Sequence, residues 1–323
     1  MTIHNNYFIW DEQPRPLRAA LLEWLGMIAD SAAHGETTRE EHCNDPRDTD
    51  AVRAVRGLIY DAVLPHLRDS DPTVRDAALG ATIALLQSPG LADRIPEATQ
   101  GLWRLISKSS DRRERAGAVL TIGAWGQDTT RWLADPDPAI RACAALSPAC
   151  ADNPEATRTI LQALLDPATV DSWFLEPTKA DPWAGRRLPH IEGRLQHTLV
   201  ATAIDRTNTF EELLPAALAS VPLCSNLTIA DDWGPLLAAA FPSGHDQHTP
   251  LTPAQHRYLN ALVDHDLCWR YTHLITTWFD GIGLPSTRNA IKALLTDHHR
   301  TNRPTPEPNL SPTTASQKYH RSE

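Results

Sequence analysis

Histidines are the side chains of this sequence best suited to chemistry. Fourteen are present, and "SGHDQH" gathers His245, Asp246 and His248, with His256 and His265 following. Imidazole nitrogens beside a carboxylate could hold zinc or nickel if a further donor converged on them. A polar surface loop accounts for the same residues, and none takes up a ligand spacing on a helix, so neither a metal nor another cofactor is expected. His298 and His299 follow Asp297 at the end of a helical pattern, where imidazole near the C-terminal dipole needs no further role. Basic clusters at Arg112, Arg113 and Arg115 and at Arg186 and Arg187 raise the question of nucleic acid, because cationic and aromatic side chains together can grip a phosphate backbone. Solvated helix ends explain these clusters without a ligand.

Five cysteines, Cys43, Cys143, Cys150, Cys224 and Cys268, form an odd, dispersed set without a C-x-x-C pair. That argues against both a disulfide framework and a zinc knuckle and predicts small buried side chains. The glycine-rich phosphate loops, the G-x-S-x-G elbow, H-E-x-x-H and the EF-hand loop are all absent. No catalytic residue is singled out, and an enzyme is the weaker expectation. Asn226 opens a glycosylation sequon, which is read as chance because the start "MTIHNNYFIWDEQPRP" lacks the marks of a secretory signal. With no spanning apolar run either, a cytoplasmic protein with no membrane contact is expected. The formal charge of −10 over 323 residues disfavours nucleic acid and favours a basic partner.

The elements that must position these residues are helices. In "DPTVRDAALGATIALL", residues 71–86, Val74, Ala77, Ala78, Ala81 and Leu85 fall on one side, and Leu79, Ile83 and Leu86 make a second stripe beside it. Two stripes imply neighbours on two sides. The remaining arc, Thr73, Arg75, Asp76, Gly80, Thr82 and Gln87, is left for solvent or a partner. Asp71 suits the N-cap and Pro72 the first helical position. "DPAIRACAAL" repeats the device from Asp137, with Arg141 in the place of Arg75. "SDRRERAGAVL" repeats it weakly, Asp111 and Arg115 keeping the spacing while Glu114 stands where an aliphatic belongs. Partner helices are predicted over 51–67 and 96–107. Each pair cannot hide its apolar faces alone, so the pairs must stack.

These stretches, Asp71 to Leu86 and Asp137 to Leu146 above all, resemble the turn and second helix of bacterial HEAT repeats of the phycobilisome-lyase type, over roughly residues 50–166. The resemblance implies an all-α fold: an α-solenoid of HEAT-like helical hairpins with a C-terminal helical cap. It also implies a ladder in which turn aspartates Asp71, Asp111 and Asp137 meet helical arginines Arg75, Arg115 and Arg141 between successive repeats. The expected layout is an arm over 1–16, the solenoid over 17–175 beginning with an amphipathic helix at 17–33, an irregular connection and helical region continuing or capping it over 176–300, and a disordered tail over 301–323.

The expected function is that of a non-catalytic scaffold binding a protein partner through the concave face. Thr73, Asp76 and Thr82 are candidate contacts there. Of the ten tryptophans, most are expected in the core, with Trp173 and Trp183 as further contacts because they flank the irregular connection. The alternative is DNA binding or base excision, as in the HEAT-like alkylpurine DNA glycosylases, which use a basic groove with tryptophans and an acidic residue. A lyase like the HEAT-type chromophore-attachment enzymes is a third possibility carried by family analogy alone.

Overall fold

The computed structural model describes residues 16–37, 46–174, 188–225, 227–246, 249–270 and 272–301. These residues contain helices and no strand. In chain order they are α1 (Leu17–Thr37), α2 (Pro46–Val63), α3 (Pro72–Leu86), α4 (Ile95–Lys108), α5 (Arg112–Ala124), α6 (Pro138–Ala145), α7 (Pro154–Ala163), α8 (Pro167–Ser172), α9 (Leu195–Arg206), α10 (Phe210–Ser220), α11 (Gly234–Ala240), α12 (Pro253–Asp264), α13 (Thr272–Gly281) and α14 (Arg288–Thr301). The arm is thus outside the described residues apart from Pro16, and the tail apart from Thr301. The all-α class expected from the sequence is present.

Five helix starts share one local rule. Asp71, Asp137, Asn153, Asp166 and Thr252 each hold extended or otherwise non-helical backbone, accept a hydrogen bond from an N–H of the first turn, and are followed by proline. The side chain satisfies one orphan donor, while proline removes another and presets φ. Asp111 caps α5 without a proline, accepting from Glu114 N at 2.9 Å. Asp111 thus caps α5 as Asp71 and Asp137 cap their helices, with Glu114 in its first turn.

Pairs of contacts fix how the helices run. Arg18 near the start of α1 bonds Asp69 just before α3 at 2.7 Å, and further along both helices Gly26 meets Ala81. Arg75 meets Glu114, and beyond them Leu79 lies against Gly117. Arg112 meets Asp137, and beyond them Gly123 lies against Ser147. Hence α1, α3, α5 and α6 lie side by side and parallel. In a second row, Tyr60 of α2 reaches the Arg94 carbonyl at the start of α4, Leu67 lies against Gly101, and Trp103 of α4 meets Trp132 of the turn Thr130–Ala134 edge to face at 6.4 Å.

The first row packs closely because its facing residues are small. A Cβ on Gly26 would sit 3.1 Å from the Ala81 Cα, so glycine there sets the approach of α1 to α3. Val74, Ala77, Ala78, Ala81 and Leu85 are all buried on α3, as their spacing requires. Thr82 corrects the sequence reading: it is 0% exposed, and its hydroxyl donates to the Ala78 carbonyl at 2.7 Å, which lets a polar residue sit inside the helix layer. It belongs to the core and offers nothing to a partner.

The C-terminal helices join this frame directly. Arg206 at the end of α9 donates to the carbonyls of Ala145 and Ser147, at 2.7 and 3.1 Å, filling acceptors left open where α6 ends. Pro189 lies on the face of α5 at Gly117, where a Cβ would come within 3.3 Å of its ring. Buried residues from Ala19 to Leu295 form one continuous core. Trp233 and Phe279, with Trp269 beside Phe279, supply its aromatic centre in this half.

Candidate interaction surface

A seam of arginines and carboxylates runs along the repeat turns, but it does not pair the turn aspartates Asp71, Asp111 and Asp137 with Arg75, Arg115 and Arg141. Asp71, Asp111 and Asp137 spend their Oδ1 atoms on the N-caps. The acceptors of the arginines stand elsewhere. Arg18 bonds Asp69, Arg75 bonds both carboxylate oxygens of Glu114, and Arg115 bonds Asp135. Asp69 and Asp135 lie two residues before their N-caps and also accept the N–H of Asp71 and Asp137, at 3.0 and 2.9 Å. The Asp71 N–H and the Arg18 guanidinium hold the Asp69 carboxyl below the usual carboxylate range, against a smaller upward push from burial.

In the middle copy the equivalent position is Ser109. Its hydroxyl accepts the Asp111 N–H at 3.0 Å and donates to Glu114. Serine thus keeps the turn while Glu114, 8% exposed, supplies the charge that the turn has lost. Arg141 is a second correction. Its Nη1 donates to the carbonyls of Asp135 and Pro136, at 2.7 and 3.1 Å, as Arg75 does to Asp69 and Ser70. It clamps its own turn rather than bridging carboxylates.

Two of the three arginines at the head of α5 are paired with carboxylates. Arg112 pairs with Asp137 at 2.7 Å, Arg115 with Asp135, and Arg113 has a partner as well. Arg186 and Arg187 lie outside the described residues. Of the contacts expected for a partner, Thr73 and Asp76 are half-buried, and Asp76 already interacts within the chain. Trp173 packs against the core, and Trp183 lies outside the described residues. Pro189 occupies part of the adjacent α5 surface. Of the expected strip, Thr82 is thus lost to the core, while Thr73 and Asp76 stay partly exposed.

A row of exposed apolar side chains lies on α1. Leu17 is 74% exposed, Leu21 51%, Trp24 56% and Met27 42%, and their spacing puts them within one arc of the helix. Ala19, Leu22, Gly26 and Ala29 are buried on the opposite arc against α3. The helix predicted to be amphipathic is thus apolar on two faces, one of them in solvent. The reading of this helix as amphipathic missed its second apolar face because alanine and glycine are weak hydrophobic signals. Val55 and Leu58 of α2 add further exposed aliphatic surface.

The histidines are dispersed. His245 meets Phe241 edge to face at 5.9 Å, His256 Nε2 lies 3.4 Å from the Leu295 carbonyl, and His265 Nε2 lies 2.9 Å from the Cys224 carbonyl. His248 lies outside the described residues. The four described cysteines are buried and free, and burial raises the Cys143 thiol far from nucleophilic use.

One polar pair had no signal in the sequence: His197 of α9 and Asp232, 2.8 Å apart across 35 residues. Asp232 is buried in a π-helical turn, Ile229–Trp233, with Arg194 at 3.5 Å. Burial pushes its carboxyl upward, but the His197 hydrogen bond and the Arg194 charge outweigh that and hold it below the ordinary range. The pair ties α9 to the turn that leads into α11.

Comparison with protein-family models, with curated proteins and with solved structures finds no match for this chain.

Proposed function

We propose that the protein is a non-catalytic α-solenoid of HEAT-like hairpins that serves as a binding scaffold for another protein, docked on the exposed face of α1. The parallel rows, the repeated Asp-Pro helix starts and the arginine seam between neighbours support the repeat reading, with α9 to α14 covering its far end.

A single observation carries the function: the row Leu17, Leu21, Trp24 and Met27. α1 packs against α3 and α2, and yet Leu17, Leu21, Trp24 and Met27 stay exposed on its remaining face. Contiguous exposed apolar surface of this kind marks a protein interface, with tryptophan the commonest anchor. The DNA reading has less to stand on, since Arg112 and Arg115 at the head of α5 are already paired with carboxylates.

Replacing Trp24 by a photo-crosslinking phenylalanine analogue in the native cells tests this. A discrete protein adduct is expected at position 24, lost when Leu17 and Leu21 are changed to glutamine. Adducts no stronger than those from the same analogue at exposed Trp103, or insensitive to the leucine changes, would refute the proposal.

A further inference from the structure

The turn after α2, the start of α3 and the last turns of α4 line an open cleft of about 490 Å³. That volume is in the range of small-ligand sites. Its lining combines apolar Leu67, Leu105 and Pro72 with four cations, Arg68, Arg75, Arg104 and Lys108, and two carboxylates, Asp69 and Asp111.

The charges fall into two groups. Arg75 is committed to Glu114, and Asp69 to Arg18. What remains is Arg68, Arg104 and Lys108 facing one carboxylate, Asp111. None of these three cations makes an ion pair or charge-assisted hydrogen bond among the described residues. Lys108 ends α4, where a cation complements the helix dipole, so its presence alone needs no ligand. Arg104 has no such reason. It stands four residues before Lys108, on the same face of α4, and like charges at that spacing destabilise a helix. In a protein whose formal charge is −10, three cations gathered without carboxylate partners are a local inversion of the field.

From this arrangement we infer that the cleft binds a small dianionic oxyanion, with phosphate its best match, through Arg68, Arg104 and Lys108. A guanidinium presents a planar fork to two oxygens, and the Lys108 ammonium adds a compact charge. The excess of three cations over one carboxylate matches a dianion. The apolar part of the lining then favours phosphate carried on an organic group over the free ion.

Calorimetric titration of the full chain with inorganic phosphate and with phenyl phosphate, at constant ionic strength set by chloride, tests the site. Saturable binding is expected for both, tighter for phenyl phosphate. Arg104→Gln combined with Lys108→Gln should weaken it about tenfold or more, since two charge-assisted hydrogen bonds are lost. Arg257→Gln, an exposed charge change on α12, should leave it intact. The double variant loses a repulsive pair together with the Lys108 charge at the helix C-terminus, two small opposed effects, so its melting temperature should change little. Heat that does not saturate, or equal weakening by Arg257→Gln and by the double variant, would overturn the inference. Equal affinity for both probes would remove the organic group and leave free phosphate as the ligand.

Discussion

Arg75 of α3 reaches both carboxylate oxygens of Glu114, a residue of α5 and 39 positions away in the chain. Both side chains are largely buried, and Ser109 shares the carboxylate. Taking away one partner leaves the other as an uncompensated charge. Arg75→Ala and Glu114→Ala should each cost roughly 2–4 kcal/mol in urea unfolding. Arg75→Met with Glu114→Leu should cost clearly less than the two single losses added together, because an apolar pair fills the same space. Additive losses would mean that the two side chains act independently.

The corrected seam ranks its arginines. Arg141 donates to two carbonyls of its own turn, so Arg141→Ala should lose about 1–2 kcal/mol. Arg115→Ala should lose more, about 2–3 kcal/mol, because it strands Asp135, a nearly buried carboxylate that also holds the Asp137 N–H. Chemical denaturation of the two variants decides the order. The reverse ranking would return the ladder to the turn aspartates first expected.

How much of this was legible depends on distance along the chain. The caps at Asp71 and Asp137 could be read because an N-cap, its proline and its apolar stripe lie within a few residues. Glu114 looked like a flaw because its partner lies in another helix, and no local spacing reports that. A signal was present all the same: the middle copy has Ser109 where its neighbours have Asp69 and Asp135, so one lost carboxylate and one unexpected carboxylate stand five residues apart. Thr82 was misplaced for a different reason. Helical spacing assigns an arc to a residue, but only packing decides whether that arc is covered, and a threonine that bonds its own helix can be buried at little cost. The pairing of His197 with Asp232 depends on a π-helical turn that no periodicity announces.

That pair makes stability depend on acidity with a definite sign. The Asp232 carboxyl is held below its ordinary value of 3.8 in the folded protein. A depressed acid stabilises the fold fully above the unfolded pKa, and the contribution is lost as pH falls through the folded one. Asp232→Asn should therefore lower the melting temperature at pH 7, by an amount corresponding to about 1–3 kcal/mol. The gap from the unaltered protein should narrow steadily below about pH 4. A gap that stays constant down to pH 2 would show that the carboxylate charge is not what Asp232 contributes.

The two faces of α1 should respond oppositely to substitution. On the inner face a Cβ at Gly26 already comes within 3.1 Å of the Ala81 backbone, so Gly26→Leu must push α1 away from α3. Overpacking of this kind costs about 1–3 kcal/mol, and the helix propensity gained over glycine recovers less than 1 kcal/mol of it. On the outer face Leu21→Gln removes a side chain that is half in water, and should leave the melting temperature within about 2 °C, as surface changes do. If α1 is an interface helix, the ranking must invert in a binding assay: Leu21→Gln abolishes the Trp24 adduct while a mild inner change such as Gly26→Ala spares it. A loss of stability with Leu21→Gln comparable to that of Gly26→Leu would mean that the outer face is already covered within the protein, and α1 would then have nothing to offer a partner.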